Sequence, residues 1–353
     1  MATTRERRWG MTENARAGKD ERAICADPIL GANRSGNQSQ PTGRNAKPPL
    51  IVIVGATATG KTGLAIDLAA RLPIEIVNAD SRAFYRGMDM GTAKPTVSDR
   101  ARATHHLIDI LDPDEPMSLS LFQRLAMDHI AAIHARRRIP LLVGGTAQYV
   151  NAVVEGWRIP AVSPNHQRRL ELEREAGEIG VEAILNRLAA VDPAAAAKTG
   201  PNLRRIVRAL EVFETTGVPI SQLQGRNDVP FQALGFELWA PRDELYARID
   251  RRVDEQVAAG LVEEVRGLLE RGFDPNLPSF SSIGYRQLMS AIVSDGDLDE
   301  AIARIKLDTH RLVRHQQTWF RKDDRLLRID TTRETPIERV VADAGGICRL
   351  FLE

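Results

Sequence analysis

A phosphate-binding motif stands where the apolar patterning of the chain begins. Residues 55–62 read Gly-Ala-Thr-Ala-Thr-Gly-Lys-Thr and match the pattern G-x-x-x-x-G-K-[ST] at every fixed position. The glycines let backbone N–H groups turn toward an anion, and the helix that follows adds positive potential. Lys61 supplies a mobile cation, and the Thr62 hydroxyl is a predicted ligand of Mg²⁺. The predicted diphosphate- or nucleotide-binding residues are Gly55, Ala56, Thr57, Ala58, Thr59, Gly60, Lys61 and Thr62.

Two further polar residues follow predicted strands. Asp80 comes after the apolar run 74–77, and Thr146 comes after the run 141–143. Because ligands of a parallel sheet bind at the carboxyl ends of its strands, we expect both residues near the phosphate loop. Asp80 would there bind Mg²⁺ through water, act as a general base on a nucleophile, or simply cap a turn. The Gly-Gly-Thr turn that ends in Thr146 is equally consistent with a structural role.

The elements that must position these residues alternate between strands and helices. This alternation indicates βαβ units and an α/β fold, a P-loop NTPase-like parallel sheet flanked by helices, with a helical insertion lobe. The predicted helices of the first part are 61–71, with Leu64 and Leu68 on its apolar face, and 118–138. The predicted strands are 49–54, 74–77, 106–110, 140–143, 231–238 and 325–329.

Four segments follow from the change in pattern along the chain. Residues 1–48 are polar and predict a disordered N-terminal extension, with a basic RNA-binding arm as the alternative. The remaining segments are a P-loop α/β core at 49–155, a helical insertion at 156–225, and a mostly helical part at 226–353 that returns to the core.

Composition excludes several classes of protein. The net charge of +1 does not by itself indicate a nucleic-acid partner. Cys25 and Cys348 show neither metal-ligand spacing nor a disulfide framework, which suits a reducing compartment, and we expect a cytoplasmic protein. No apolar run approaches the roughly 20 residues of a membrane helix, so no membrane association is expected.

One helix face is rich in arginine. Arg204 and Arg208 stand four residues apart with Arg205 beside them, while Ile206 and Leu210 occupy the other side. Three arginines on one helix suit contacts to a phosphate backbone. An ordinary solvated face is the alternative.

Other conspicuous residues are interpreted as structural. Trp319 lies in a second basic cluster, and we expect its ring in the core rather than stacked on a base. Lys94 lies in a polar loop, where it would either face an anion or, as we favour, be a solvated loop lysine. His105 and His106 lack partners at metal spacing, and we interpret them as structural or as neighbours of a ribose or phosphate. The basic residues of the second cluster are Arg311, Arg314, Arg321, Lys322, Arg325 and Arg328.

Taken together, these segments resemble the tRNA dimethylallyltransferase, or tRNA isopentenyltransferase, family. The stretch from Asn78 to Pro95, which contains Asp-Ser-Arg and Gly-Thr-Ala-Lys-Pro, is long and distinctive. The matching segments run in the family's order over roughly residues 49–330. They are the phosphate loop and residues 78–95, 105–109, 144–146, 204–211, 282–288 and 317–321.

The resemblance implies transfer of a dimethylallyl group from dimethylallyl diphosphate to the exocyclic N6 amine of the adenosine adjacent to the anticodon. Asp80 would be the general base, and Thr146 would hydrogen-bond near the reacting diphosphate oxygen. Lys61, the loop amides and Mg²⁺ would stabilise the departing pyrophosphate. The partners would be tRNA and the diphosphate, and we expect a monomer. The implied tRNA-binding residues are Asp80, Ser81, Arg82, Ala83, Thr146, Arg168, Arg204, Arg205, Ile206, Val207 and Arg208.

The chain departs from the family pattern at four positions. Ala56 replaces a usual proline and Thr59 a usual serine, and both changes preserve the backbone of the loop. Ala83 and Arg204 each replace a common glutamine, so Ala83 removes an amide that would hold the base.

Two other functions remain open from the residues themselves. A P-loop kinase that phosphorylates a small molecule or nucleotide is supported by the phosphate loop and Asp80. A non-enzymatic RNA-binding regulator is supported by the basic helix alone.

Overall fold

The computed structural model describes residues 47–352, which form two compact units. One unit is residues 162–222, and the other joins residues 47–161 to 223–352. The predicted N-terminal extension lies outside the described residues except for its last two. The Pro48 carbonyl accepts a hydrogen bond from the Gln232 N–H at 2.8 Å, and Lys47 forms an ion pair with Asp228 at 2.6 Å.

Strands and helices are interspersed along residues 47–352. The strands are β1 (Pro49–Gly55), β2 (Ile74–Asn78), β3 (His105–His106), β4 (Ile139–Gly144), β5 (Trp157–Arg158), β6 (Gly225–Arg226), β7 (Gln232–Trp239) and β8 (Leu326–Asp330). The helices are α1 (Lys61–Arg71), α2 (Val97–Arg102), α3 (Leu119–Ala135), α4 (Ala147–Val154), α5 (His166–Ile179), α6 (Val181–Val191), α7 (Pro193–Thr199), α8 (Leu203–Thr216), α9 (Ile220–Leu223), α10 (Arg242–Ala258), α11 (Leu261–Glu270), α12 (Tyr285–Val293), α13 (Leu298–Phe320) and α14 (Pro336–Leu352). Among residues 47–352, no helix is both long and apolar enough to cross a membrane.

Six strands of the larger unit form one parallel sheet in the order β3-β2-β4-β1-β7-β8. The strands β1, β2 and β4 are buried along their whole length, as the continuous apolar runs predict for a sheet covered on both faces. The predicted parallel α/β sheet is confirmed. The third strand, predicted at 106–110, is only two residues long because Leu107 and Asp109 adopt left-handed backbone angles, with φ of 61° and 55°.

Helices cover both faces of this sheet. On one face α1 and α14 pack over Ile51, Ile53 and Ile76, and the predicted stripe of α1 places Leu64 and Leu68 in that core. On the other face α3 packs on the sheet through Phe122, and α13 lies against β1. Between these two layers of helices, the carboxyl ends of β1, β2 and β4 lie at the same edge of the sheet.

The smaller unit is wholly helical. Helices α5, α6 and α8 bury Leu172, Ile184, Leu188 and Ile206 completely, so the unit has a core of its own. It is shorter than the predicted segment 156–225, because β5 and β6 pair as an antiparallel ribbon that belongs to the larger unit.

Candidate active site

The phosphate loop joins β1 to α1 and takes its shape from the backbone. Gly55 passes so close to β7 that a Cβ there would clash with the Leu238 carbonyl. Gly60 and Ala58 adopt left-handed φ angles of 92° and 64°. The Thr59 hydroxyl donates to the Ala56 carbonyl at 2.8 Å and closes the turn. The loop therefore ends at the free N–H groups of a helix N-terminus, the arrangement that binds phosphates.

Lys61 lies folded over its own loop. Its ammonium group donates to the carbonyls of Gly55 and Ala56 at 2.9 and 2.8 Å. Burial lowers the pKa of Lys61 to about 8, while the charge of Asp80 opposes this shift and that of Arg252 adds to it. Because the charged form is disfavoured in this place, an incoming anion that pairs with Lys61 relieves an existing cost.

Asp80 follows β2 and is held by Asn78 at the end of that strand. The Asn78 side chain donates to the carbonyls of Asp80 and Leu107, at 3.1 and 2.9 Å, and accepts from the Asp80 N–H at 3.1 Å. The Asp80 carboxylate accepts from the Arg82 N–H at 3.0 Å. The carboxylate is thus oriented by its own turn and remains half-buried at the sheet edge.

Thr146 reaches the Asp80 segment, as predicted from the shared sheet edge. Strand β4 lies between β1 and β2, which aligns Gly144 with Val54. The Thr146 hydroxyl accepts from the Ser81 N–H and donates to the Ser81 hydroxyl, both at 3.4 Å. At Gly144 a Cβ would clash with the backbone of Ala79, so glycine is needed for this close approach.

Two residues that the sequence patterns did not indicate also belong to this site. Arg252 of α10 is a second cation beside Asp80: burial lowers its pKa and the charge of Asp80 raises it. Gln316 of α13 accepts from the Thr57 N–H and donates to the Gly145 carbonyl, both at 2.9 Å. It therefore bridges the phosphate loop and the turn that carries Thr146. Neither residue lies in a phosphate motif, and the Gln316–Thr57 pair is separated by 259 positions.

Lys94 is buried, so its interpretation as a solvated loop lysine is wrong. Its ammonium group forms ion pairs with Asp89 at 2.7 Å and Asp109 at 2.5 Å and donates to the Tyr85 carbonyl. Burial favours the neutral form of Asp109, but hydrogen bonds from Lys94 and Arg100 outweigh this and lower the pKa of Asp109. The distinctive segment after Asp80 is therefore folded around one buried cation.

Trp319 is 45% exposed, so the prediction that its ring lies in the core is wrong. Its neighbour Phe320 is buried instead. Several basic residues of the second cluster are engaged in ion pairs, as Arg311 is with Asp308 at 2.8 Å. The other pairs join Arg325 to Glu155 at 2.8 Å and Arg328 to Glu237 at 2.7 Å.

The two histidines of β3 make contacts within the protein. His106 hydrogen-bonds the buried Glu75 at 2.7 Å, and Arg136 binds the same carboxylate. The His105 ring nitrogen Nδ1 lies 2.8 Å from the Ala103 carbonyl. His105 also lines a cavity that Thr62 and Asp80 share.

The arginines of the predicted tRNA face lie in the helical unit. Arg204 and Arg205 are exposed at the start of α8, whereas Arg208 pairs with the buried Glu211 at 2.6 Å. Arg168 pairs with Glu214 at 2.8 Å. The side chains of Ile206 and Val207 are buried, as is that of Ala83 in the larger unit. These three apolar residues offer only backbone atoms to a tRNA, because the amphipathic packing of their segments turns the side chains inward.

Thr62 and Asp80 carry oxygen atoms of the types that bind Mg²⁺ in proteins. They line one cavity at the phosphate loop. Hydroxyl and carboxylate oxygens are ligands that Mg²⁺ accepts together with phosphate and water. Within residues 47–352 there is no cluster of three or more His, Cys, Asp and Glu side chains arranged to hold a metal. Any metal here would take part of its coordination from the bound phosphate compound.

Comparison with known proteins identifies the family. A family model described as IPP transferase matches residues 83–323. A tRNA dimethylallyltransferase of Thermomicrobium roseum is 51% identical over 290 residues, which cover 82% of this chain and 88% of the relative. One from Roseiflexus sp. is 54% identical over 275 residues, covering 78% of this chain and 90% of the relative.

Solved structures agree with these relatives. The tRNA isopentenylpyrophosphate transferase of Bacillus halodurans has a TM-score of 0.65 at 38% identity, covering 86% of this chain and 98% of its own. A eukaryotic dimethylallyltransferase acting on tRNA has a TM-score of 0.69 at 26% identity, covering 85% of this chain and 77% of its own. The resemblance drawn from the sequence motifs is confirmed, and the chain belongs to the IPP transferase family.

Proposed function

We propose that this protein transfers a dimethylallyl group from dimethylallyl diphosphate to the exocyclic N6 amine of the adenosine adjacent to the anticodon of tRNAs. The observation that carries the proposal is the meeting of Lys61, Asp80 and Thr146 at one sheet edge. A phosphate-binding loop with a carboxylate and a hydroxyl beside it suits transfer away from a diphosphate. The names of the relatives favour this function over the kinase alternative.

In the reaction, the amine nitrogen attacks the first carbon of the dimethylallyl group. The bond from this carbon to the diphosphate oxygen breaks, and its electron pair leaves with pyrophosphate. The amine proton passes to the Asp80 carboxylate, which acts as general base. Thr146 hydrogen-bonds near the reacting oxygen. The fixed turn of Asp80, held by Asn78 and by the Arg82 N–H, keeps the base in one orientation.

Negative charge on the leaving pyrophosphate grows during the reaction, and cationic groups of the site stabilise this charge. Lys61 and Arg252 are both cations whose pKa values are lowered by burial, so a growing negative charge beside them is stabilised strongly. The N–H groups at the start of α1 add to this field. We include Mg²⁺ in the proposal, with Thr62 as its protein ligand. When bound, the ion neutralises charge on the diphosphate.

The helical unit is the proposed grip on tRNA. Exposed Arg204 and Arg205 are suited to phosphate contacts, with Arg168 and Arg208 beside glutamates. Because the target amine lies on a base, that base must leave its stack to reach Asp80. We also propose a monomer located in the cytoplasm. The absence of a disulfide pattern in the sequence supports this location.

One assay separates the proposal from its rival. Purified protein is incubated with unmodified tRNA and labelled dimethylallyl diphosphate, and in parallel with ATP and small hydroxyl acceptors. We expect label in the tRNA and pyrophosphate in solution. ATP-dependent phosphorylation of an acceptor without any transfer of label would establish the kinase instead. Binding of tRNA without either reaction would establish a regulator.

A further inference from the structure

Two adjacent glutamines near the end of α13 reach different strand ends of the parallel sheet. Gln317 donates to the Ala240 carbonyl, just after β7, at 2.9 Å. Gln316 accepts from the Thr57 N–H, after β1, and donates to the Gly145 carbonyl, after β4, both at 2.9 Å. Gln317 therefore fixes the helix to the sheet, whereas Gln316 bridges two turns of the active site.

The bridge made by Gln316 depends on its amide and on a glycine. A side-chain amide carries an acceptor oxygen and a donor nitrogen, so it satisfies an N–H and a carbonyl at once. A carboxylate only accepts, and an apolar side chain does neither. At Gly145 a Cβ would lie 2.6 Å from the Gln316 Nε2, so a larger residue there would push the amide away. Both residue types are therefore needed.

We propose that Gln316 is a positioning residue of the transfer reaction and acts through Thr146. The inference rests on the proposed function. Gly145 directly precedes Thr146, so holding the Gly145 carbonyl holds the backbone that carries the Thr146 hydroxyl. The other end of the bridge is the phosphate loop, which holds the diphosphate whose oxygen Thr146 must reach. Gln316 therefore sets the distance between the loop and the hydroxyl.

The contacts of Thr146 with Ser81 do not supply this distance. Both are 3.4 Å long, which makes them weak, and they lead to the Asp80 segment rather than to the phosphate loop. A group that acts on a reacting atom must be held to within about 0.5 Å, and misplacement by about 1 Å costs roughly a hundredfold in rate. Loss of the bridge should therefore slow the chemical step. The diphosphate should still bind, because Lys61 and the N–H groups of α1 remain.

A double-mutant cycle on the single-turnover rate, with both substrates saturating, tests the inference. Gln316→Met keeps the length of the side chain but removes its hydrogen bonds, and should slow transfer roughly tenfold to a hundredfold. In a Thr146→Val background no hydroxyl remains to be positioned, so Gln316→Met should there slow transfer by less than about twofold. The same fold loss in both backgrounds would overturn the inference.

Gln317→Met is the matched control for this cycle. It removes hydrogen bonds of the neighbouring glutamine, which are made to Ala240 and Arg242 and not to the active-site turns. Any rate loss that it causes should be the same in both Thr146 backgrounds, because Gln317 acts on the fold. A Gln317 variant whose loss depended on Thr146 as strongly would count against a role specific to Gln316.

Inhibition by pyrophosphate separates the phosphate loop from Thr146. The inhibition constant should stay nearly unchanged in Gln316→Met, because the groups that bind the anion are intact. A loss of pyrophosphate affinity as large as the loss of rate would place the effect on the phosphate loop and overturn the inference. Absence of five-carbon transfer by the unaltered protein would instead remove the proposed function itself.

A second variant displaces Gln316 without altering it. Gly145→Ala sets a methyl group against the Gln316 amide and should slow the single-turnover step by a similar factor. When Gly145→Ala is combined with Gln316→Ala, the methyl group has room, so the double variant should be no slower than Gln316→Ala alone. A further loss in the double variant would show that Gly145 acts independently of Gln316 and would count against the inference.

Discussion

Charged groups at the phosphate loop of the larger unit serve a different purpose from those in the helical unit. At the phosphate loop, burial lowers the pKa values of Lys61 and Arg252, and the carboxylate of Asp80 only partly offsets this. In the helical unit, the hydrogen bonds that Arg168 donates to glutamates raise its pKa, with Glu214 as the main acceptor. Cations of the first kind still lack a full counter-charge, whereas Arg168 already has one.

The direction of the shift therefore separates a reactive site from a structural ion network. Both kinds of region contain perturbed groups, so the presence of perturbation alone does not distinguish them. Glu211 of the helical unit shows the same behaviour for an acidic group. Burial would raise its pKa, but Arg169 and Arg208 outweigh burial and lower it. The following predictions test whether this contrast holds.

Removal of the general base should have the largest effect. Asp80→Ala should lower the single-turnover rate by about 10²–10⁴-fold, because the amine proton loses its acceptor, while tRNA affinity remains largely intact. Rapid-quench kinetics on a preformed tRNA complex, with tRNA affinity measured separately, tests this. Asp67→Ala is the control, because Asp67 is an exposed carboxylate paired with Arg102. A collapse of binding with normal turnover of bound tRNA would make Asp80 a tRNA contact instead.

Replacement of the loop cation should weaken diphosphate binding and strengthen the fold. Lys61→Met should reduce pyrophosphate affinity roughly a hundredfold. In the unaltered protein this affinity should fall as pH rises through about 8, because Lys61 then loses its charge, and the variant should lack this fall. Calorimetric titration of pyrophosphate from pH 6.5 to 9.5 measures both.

Stability should respond to Lys61 in the opposite sense. Its pKa is about 8 in the folded protein and 10.5 as a free side chain, so between these values the unfolded chain binds more protons. The free energy of unfolding should therefore rise with pH in that window. Lys61→Met should be the more stable protein below pH 8. A variant that is less stable there would show that Lys61 is a structural cation like those of the helical unit.

Removal of the buried glutamate should affect the helical unit without affecting chemistry. Glu211→Ala takes the acceptor from Arg169 and from the Asn165 N–H, and should cost about 3 kcal/mol of unfolding free energy. Because the pKa of Glu211 is lowered in the folded protein, its carboxylate contributes stability at neutral pH that is lost as pH falls through that pKa. The free energy of unfolding of the variant should therefore depend less on pH in the acidic range. Urea unfolding at pH 7 and pH 4 tests this, with exposed Glu178→Ala as control. A slowed chemical step on bound tRNA would contradict the assignment.

The exposed arginines should give the smallest effect. Arg204→Ala with Arg205→Ala should lower tRNA affinity several-fold and reduce the slope of log affinity against log salt by about one per lost phosphate contact. Arg174→Ala in α5 is the control, since its side chain is also exposed. An unchanged slope in the double variant would identify this face as ordinary solvated surface.

The features of the structure that could be predicted from the sequence are those that depend on patterns of consecutive residues. The phosphate loop, its strand and its helix occupy consecutive residues, and β1 and α1 fall where the periodicity places them. Asp80 and Thr146 could be brought together because parallel strands end at one edge. Ile206 and Val207 had a usable signal as well. The apolar face of α8 predicts that both side chains point inward.

The parts that the sequence did not predict depend on contacts between distant segments. Arg252 and Gln316 reach the phosphate loop only because α10 and α13 pack on that side of the sheet. Lys94 is buried because Asp89 and Asp109 converge on it, which no spacing along the chain reveals. The ring of Trp319 was wrongly predicted to lie in the core, although the helical period of α13 places this residue outside the buried face. Val313, Gln317 and Phe320 form the buried face of α13, and residue 319 falls outside it.

The ribbon formed by β5 and β6 has a consequence for the modularity of the chain. Because Trp157 pairs with Arg226 and Arg158 with Gly225, the two ends of the intervening segment lie side by side. Antiparallel neighbours of this kind can be closed by a turn of two residues. The 66 residues from 159 to 224 therefore leave and re-enter the larger unit at adjacent positions. We expect changes of length within this segment to leave the strand order of the parallel sheet unaltered.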